Sequence, residues 1–187
     1  MKRLIPLLSC ALFCSFTLHA IEVGETMPAI DAAKWYSEPK ILPPQGLTAI
    51  VLLDITADNA VNTLRMLESI ETDAPKVELA AIAMNPLKIV DAVVQSNGPF
   101  QLALAADNNL KSRMLFAKTE SLFPYAVLAK DGKVVWTGHP TELEAVTQKV
   151  ARGEFSASKQ RDIEAIRQEL QMAIQSGLPD VIASSAD

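Results

Sequence analysis

Two apolar runs fix most of what this chain can become. TAIVLLD over Thr48 to Asp54 and VELAAIAM over Val77 to Met84 are almost uninterrupted, rich in β-branched or small residues, and too short for buried helices. Such runs suit strands covered on both faces, which sit in the middle of parallel sheets. Between them Val61, Leu64, Leu67 and Ile70 recur at a spacing of three along one helical face, with Thr56 or Asp58 placed to cap that helix and Pro75 ending the connection. The unit reads strand, helix, parallel strand, and commits the chain to the α/β class.

The remainder extends this core. Asn85-Pro86 reads as a cap followed by proline at the first helical position, opening a helix with Leu87, Val90, Val93 and Val94 inward until Asn97-Gly98-Pro99. A short third strand is expected over Gln101 to Ala105, then a brief helix capped by Asp107 and carrying Leu110, Met114 and Leu115. Tyr125 to Lys130 and Lys133 to Thr137 flank Asp131-Gly132, a two-residue turn suited to a β-hairpin. Thr141 to Glu144 has the form of a capping box, with Leu143, Val146 and Val150 inward as far as Gly153. From Ser158 a charged amphipathic helix carries Ile163, Ile166, Leu170, Ala173 and Ile174 on one stripe and stops at Gly177 and Pro179. Ahead of the first core strand, Pro28, Pro39, Pro43 and Pro44 make residues 21–46 irregular or edge-like, with Trp35 and Tyr36 pinning that segment to the core.

The first twenty residues are read separately. Lys2 and Arg3 precede an apolar stretch from Leu4 to Leu18, and Leu18-His19-Ala20 offers a small residue for cleavage, as in a secretory signal peptide. The stretch is shorter than the roughly 20 residues that span a bilayer, so no stable membrane span is expected after cleavage. Lipidation at Cys10, within Leu7-Leu8-Ser9-Cys10, is the alternative. Both cysteines of the chain, Cys10 and Cys14, lie in this segment, so a product starting at Ile21 contains none. Because residues 1–20 hold no Asp or Glu, losing Lys2 and Arg3 takes the formal charge from −5 to −7. So acidic a chain has no broad cationic surface for nucleic acid. The expected organisation is a leader over 1–20, an α/β domain over 21–155, a helical extension over 156–180 and a mobile tail over 181–187. The expected destination is the periplasm or the exterior.

With this order of elements the chain resembles the thioredoxin-like superfamily, and the block LFPYAVLAKDGKVVWTGHP over 122–140 resembles envelope redoxins and peroxiredoxin-like proteins. The resemblance covers roughly Glu22 to Phe155. It implies a three-layer sandwich around a central mixed sheet, with an irregular N-terminal segment and a C-terminal amphipathic helix added, and a cis proline at Pro124. In such proteins an acidic residue ends the first buried strand and a Cys-x-x-Cys pair opens the next helix, where amides and the helix dipole lower a thiol pKa. Asp54 matches the acidic position and is expected to be buried. The interval from it places Ala60, Val61, Asn62 and Thr63 where the thiols stand in the family.

No residue is assigned a catalytic role. Thr63 without an adjacent histidine or lysine is a poor nucleophile, and a buried Asp54 with raised pKa would be a base with no thiol to serve. His139 is the one histidine beyond residue 20, which excludes multi-histidine metal sites and suits a cap or turn. Asp107-Asn108-Asn109 is the nearest approach to a carboxylate metal site and reads instead as a helix cap, so no metal or cofactor is expected. What the resemblance leaves is a groove between Ala57-Asp58-Asn59 and Phe123-Pro124-Tyr125, able to hold an extended peptide by strand addition, unless Phe123 and Tyr125 are simply packing residues. The expectation is an exported, redox-inactive, peptide- or protein-binding chain. The rivals are a thiol-disulfide or peroxide enzyme retaining Cys10 and Cys14, and an assembly protein that oligomerises through its last helix, whose stripe otherwise docks within the molecule.

Overall fold

The computed structural model describes residues 21–38, 45–73, 77–107, 111–112 and 123–177. The leader, most of the brief helix after Asp107 and the C-terminal tail lie outside the described residues. Six strands form one mixed sheet in the order β1-β4-β3-β2-β5-β6: β1 (Ala32–Trp35), β2 (Leu47–Leu53), β3 (Val77–Ala83), β4 (Ala103–Asp107), β5 (Tyr125–Lys130) and β6 (Lys133–Gly138). β2, β3 and β4 run parallel, with Leu47 opposite Val77 and Leu53 opposite Ala83. β5 pairs antiparallel with β2 and forms the expected hairpin with β6, turning at Asp131 (φ 51°) and Gly132 (φ 74°), where positive φ matches strand twist.

The continuity of the apolar runs is explained by two apolar faces. Ala49, Val51, Leu53, Leu79, Ala81, Leu104 and Leu128 meet α1 (Ala60–Asp73), α2 (Leu87–Asn97) and α3 (Leu143–Ala151) through Leu64, Leu67, Val90, Leu143 and Val146. On the opposite face Ile50, Leu52, Ile82, Val127 and Val134 are covered by Ile21, Val23, Met27 and Ile30 of the N-terminal segment. That segment is a strap. Gly24 donates to the Val134 carbonyl of β6 (2.7 Å) and Met27 to that of Gly132 in the hairpin turn (3.0 Å), and five residues later the chain pairs with β4 as β1. β1 is held down by Asp91 on α2, which accepts from the Tyr36 hydroxyl (2.8 Å) and the Lys34 ammonium. The ammonium and the hydroxyl keep the Asp91 carboxyl below its usual range.

Several local expectations are corrected. β4 starts at Ala103, two residues late, because the Gln101 amide is taken by Glu68 of α1 (2.6 Å), leaving Ala103 opposite Ala80 as the first ladder residue. Arg65 fastens the same connection, donating to the carbonyl of Asn97 (3.0 Å) with its guanidinium 4.8 Å from the Phe100 ring. Leu87 is exposed rather than inward. The capping box at Thr141 does not form: a 3-10 turn over Pro140–Glu142 comes first, capped by His139, whose Nδ1 accepts from the Thr141 amide (3.3 Å). The cap role read for His139 thus holds, and Glu144 meets Gln148 instead. The last helix, α4 (Ala157–Gly177), forms as expected, but its stripe docks on nothing in the described chain: Ile163, Ile166, Leu170 and Ile174 are exposed.

Candidate functional site

Strand register brings the candidate residues to one end of the sheet. Leu53 lies opposite Ala83, Leu52 opposite Tyr125, and Ala126 opposite Gly138. The exits of β2, β3 and β6 and the entrance to β5 therefore share an edge. Asp54 to Asn59 leave β2 there, Met84-Asn85 leave β3, Phe123-Pro124 lead into β5 through a cis peptide bond as expected, and His139 follows β6.

After β2 the chain turns through two tight steps, the Ala57 amide donating to the Asp54 carbonyl (3.2 Å) and the Ala60 amide to that of Ala57 (2.9 Å). α1 then begins, with the Thr63 amide on the Asn59 carbonyl (2.8 Å). Ala60-Val61-Asn62-Thr63 are thus the first turn of α1, as the interval from Asp54 implies. Their surroundings differ sharply: Ala60 is 3% exposed and part of the core, Val61 and Thr63 are half-buried, and Asn62 is exposed. A core methyl group opens the helix.

Asp54 departs from expectation. It stands one residue beyond β2 and is exposed, not buried. Its Oδ1 accepts from the Thr56 hydroxyl, the Thr56 amide (2.8 Å) and the Asn85 side-chain amide (2.8 Å). These donors, the Thr56 hydroxyl foremost and then Asn85, outweigh partial burial and hold the carboxyl below its usual range. It is an ionised acceptor near neutral pH, the opposite of a poised base. Thr56, with its hydroxyl committed to Asp54, is no helix cap.

Asn85 is the residue that sequence reasoning misplaced. It does not cap α2, whose first turn follows Pro86 with no side-chain cap. Its Oδ1 accepts from the Ile55 amide (2.7 Å) while its Nδ2 reaches Asp54, so one side chain clamps the exits of β2 and β3 together. Beyond the cap or turn role that its neighbours suggest, antiparallel pairing within the Asp-Gly hairpin places His139, just past the end of β6, beside the start of β5.

Ala57, Asp58 and Asn59 are exposed, and Phe123, Pro124 and Tyr125 are half-buried. The Phe123 and Tyr125 side chains rest on the second apolar cluster, with Ile50, Leu52 and Val127, so the packing role applies and part of each residue still faces outward. The two segments are neighbours because Leu52 and Tyr125 form the last pair of the β2–β5 ladder. Among the described residues no group of three or more His, Cys, Asp or Glu side chains could hold a metal ion. None of the described helices is long and apolar enough to cross a membrane.

The Asp54 clamp has a pH signature. A carboxyl held below its unfolded value, near 3.8, stabilises the fold fully above that value and loses the contribution as pH falls below it. Asp91 acts in the same window. Urea midpoints measured from pH 6 to pH 3 are expected to fall less steeply below pH 4 in Asp54→Asn than in the parent; identical slopes would remove Asp54 from the acid response.

No family model matches the chain, and no curated protein matches it. Solved structures do. A candidate protein disulfide isomerase from Bacteroides thetaiotaomicron superposes with a TM-score of 0.56 at 17% identity, covering 70% of this chain and 89% of its own. A peroxiredoxin-like protein from Aquifex aeolicus gives 0.54 at 12% identity, over 70% and 88%. The thioredoxin domain of a thiol-disulfide oxidoreductase from Bacteroides vulgatus gives 0.54 at 11%, over 70% and 99%. At these identities the likeness is one of fold.

Proposed function

We propose that this chain, whose fold is thioredoxin-like, is an exported, non-catalytic binding protein that holds an extended polypeptide at the strand-end surface formed by Ala57-Asp58-Asn59 and Phe123-Pro124-Tyr125. The observation that carries the proposal is the first turn of α1. Where thiols would stand, Ala60 is packed into the core and Thr63 is half-buried, and the sequence has no cysteine after Cys14. Asp54, lowered by its donors, has no thiol to deprotonate. The strand ends and the turn into β5 persist beside it, and pairing by main chain asks no chemistry of the side chains. Export rests on the charge and apolar pattern of residues 1–20.

Two measurements test this. Dithiothreitol-coupled insulin reduction by protein beginning at Ile21 is expected to stay at the protein-free rate, and turnover above it defeats the non-catalytic reading. Titration with extended, unstructured peptides is expected to move amide resonances of residues 54–63, 123–126 and 139 before any others. Shifts confined elsewhere defeat the assignment of the surface. The thiol-enzyme reading requires Cys10 and Cys14 to remain, so the intact mass of the exported protein separates the two.

A further inference from the structure

The last helix is built for a partner that the described chain does not supply. Among the described side chains of α4, Gln160 is the last that is buried. The later side chains that are described, from Arg161 to Ile174, are all exposed, along a helix that runs on for about 25 Å to Gly177. A helix of that length gains little from its own hydrogen bonds and relies on burial of an apolar face. This one has such a face. Ile163, Ile166, Leu170 and Ile174, at 48%, 64%, 60% and 53% exposure, fall within a quarter-turn of one another, whereas Met172 lies on the opposite side.

We infer that this stripe pairs with the same stripe of a second copy, in an antiparallel helix pair. Three observations select that occupant. Among the described residues, the other large apolar side chains left exposed are Met172, on the far side of α4, and Leu87 and Ile89 on α2, which two-residue spacing sends to opposite sides of that helix, so the match in length and character for the α4 stripe is the same stripe itself. The spacing is close to self-complementary under a two-fold axis: Ile163 meets Ile174 and Ile166 meets Leu170, with index sums of 337 and 336, so all eight side chains are covered. The stripe also begins only three residues beyond Gln160. Parallel helices about 8–10 Å apart would press two bodies, each roughly 35 Å across, against one another, whereas antiparallel helices place them at opposite ends.

The area sets the strength. Four half-exposed aliphatic side chains present about 400 Å² of apolar surface per copy, and with flanking stems the pair buries on the order of 1,000 Å² in total. That is the lower limit for a specific interface, so association is weak and depends on concentration. It also brings two strand-end surfaces into one particle, which raises the apparent affinity for any ligand carrying two docking segments.

The test is sedimentation velocity on protein purified from its native compartment, from about 1 µM to 500 µM. A shift from monomer to dimer is expected within that range. The double substitution Ile166→Glu, Leu170→Glu is expected to weaken it at least tenfold with the far-UV spectrum and melting of the body unchanged, and Met172→Glu is expected to leave it unaltered. In a Cys10→Ser, Cys14→Ser, Lys159→Cys variant, spin labels should lie roughly 30 Å apart, against about 10 Å for parallel helices. A monomer throughout, an association that survives the Glu pair or is abolished by Met172→Glu, a short label distance, or monomers recovered on phospholipid vesicles through this helix would each overturn the inference.

Discussion

Trp136→Ala is expected to lower the free energy of unfolding by about 3–5 kcal/mol, a large part of the roughly 5–15 kcal/mol that holds a domain of this size together. Trp136 lies on the edge strand β6 yet is 2% exposed, because its indole turns inward beneath Gly138. A Cβ built on Gly138 would stand 2.4 Å from Trp136 Cζ2, closer than any real contact, so glycine is required there by the ring and not by backbone conformation. A coupled outcome follows. Gly138→Ala alone should cost about 1–3 kcal/mol by overpacking, and in the Trp136→Ala background that cost should nearly vanish. Urea midpoints of the four proteins, followed by circular dichroism, give the cycle. Additive effects would mean that the indole does not govern the position. Because His139 and its cap follow directly, the single variants should also perturb the His139 ring resonances.

Leu64→Ala should cost a similar amount, toward the upper end of about 2–5 kcal/mol. The sheet face under α1 is unusually rich in alanine, with Ala49, Ala81, Ala83 and Ala106 all fully buried, so the space between helix and sheet is filled from the helix side by Leu64 and Leu67. Alanines have no side chain that could swing into a void. The cavity left by Leu64 therefore stays open, and the penalty grows with cavity volume. Leu64 is also the first fully buried residue after the Ala60–Thr63 turn, so its loss should reduce affinity at the strand-end surface together with stability. A loss of unfolding free energy under about 1 kcal/mol would show that the helix settles onto the sheet after all.

The parts of the fold readable in sequence were those whose signal is local. The runs at 48–54 and 77–84 have no interpretation but buried strands, and Asp131-Gly132 states its turn outright. What failed were side chains with more than one possible partner. Asn85-Pro86 has the grammar of a helix start, yet Asn85 serves Ile55 and Asp54, thirty residues back, and nothing near it in sequence announces that. Thr141 to Glu144 satisfies a capping pattern, but His139 lies two residues upstream with an acceptor nitrogen and claims the Thr141 amide first. Asp54 was assigned the burial of the strand it follows; one residue past that strand, its environment is set by Thr56 and Asn85. The candidate surface was legible to the extent that it depends on strand order, and illegible where it depends on hydrogen bonds across loops.

The strap over the second sheet face binds the two ends of the chain in time as well as in space. Residues 24–27 are among the first of the described chain to be made, and their partners at 132–134 belong to the hairpin turn and the start of β6, the last described strand. Until that hairpin has been synthesised, β6 does not exist to receive them, and Ile50, Leu52 and Ile82 have no lid. This face cannot close before residue 134 has been made, and contacts this distant in sequence are also the slowest to find. A nascent polypeptide of this design keeps its second apolar face open until the hairpin that carries β6 has emerged.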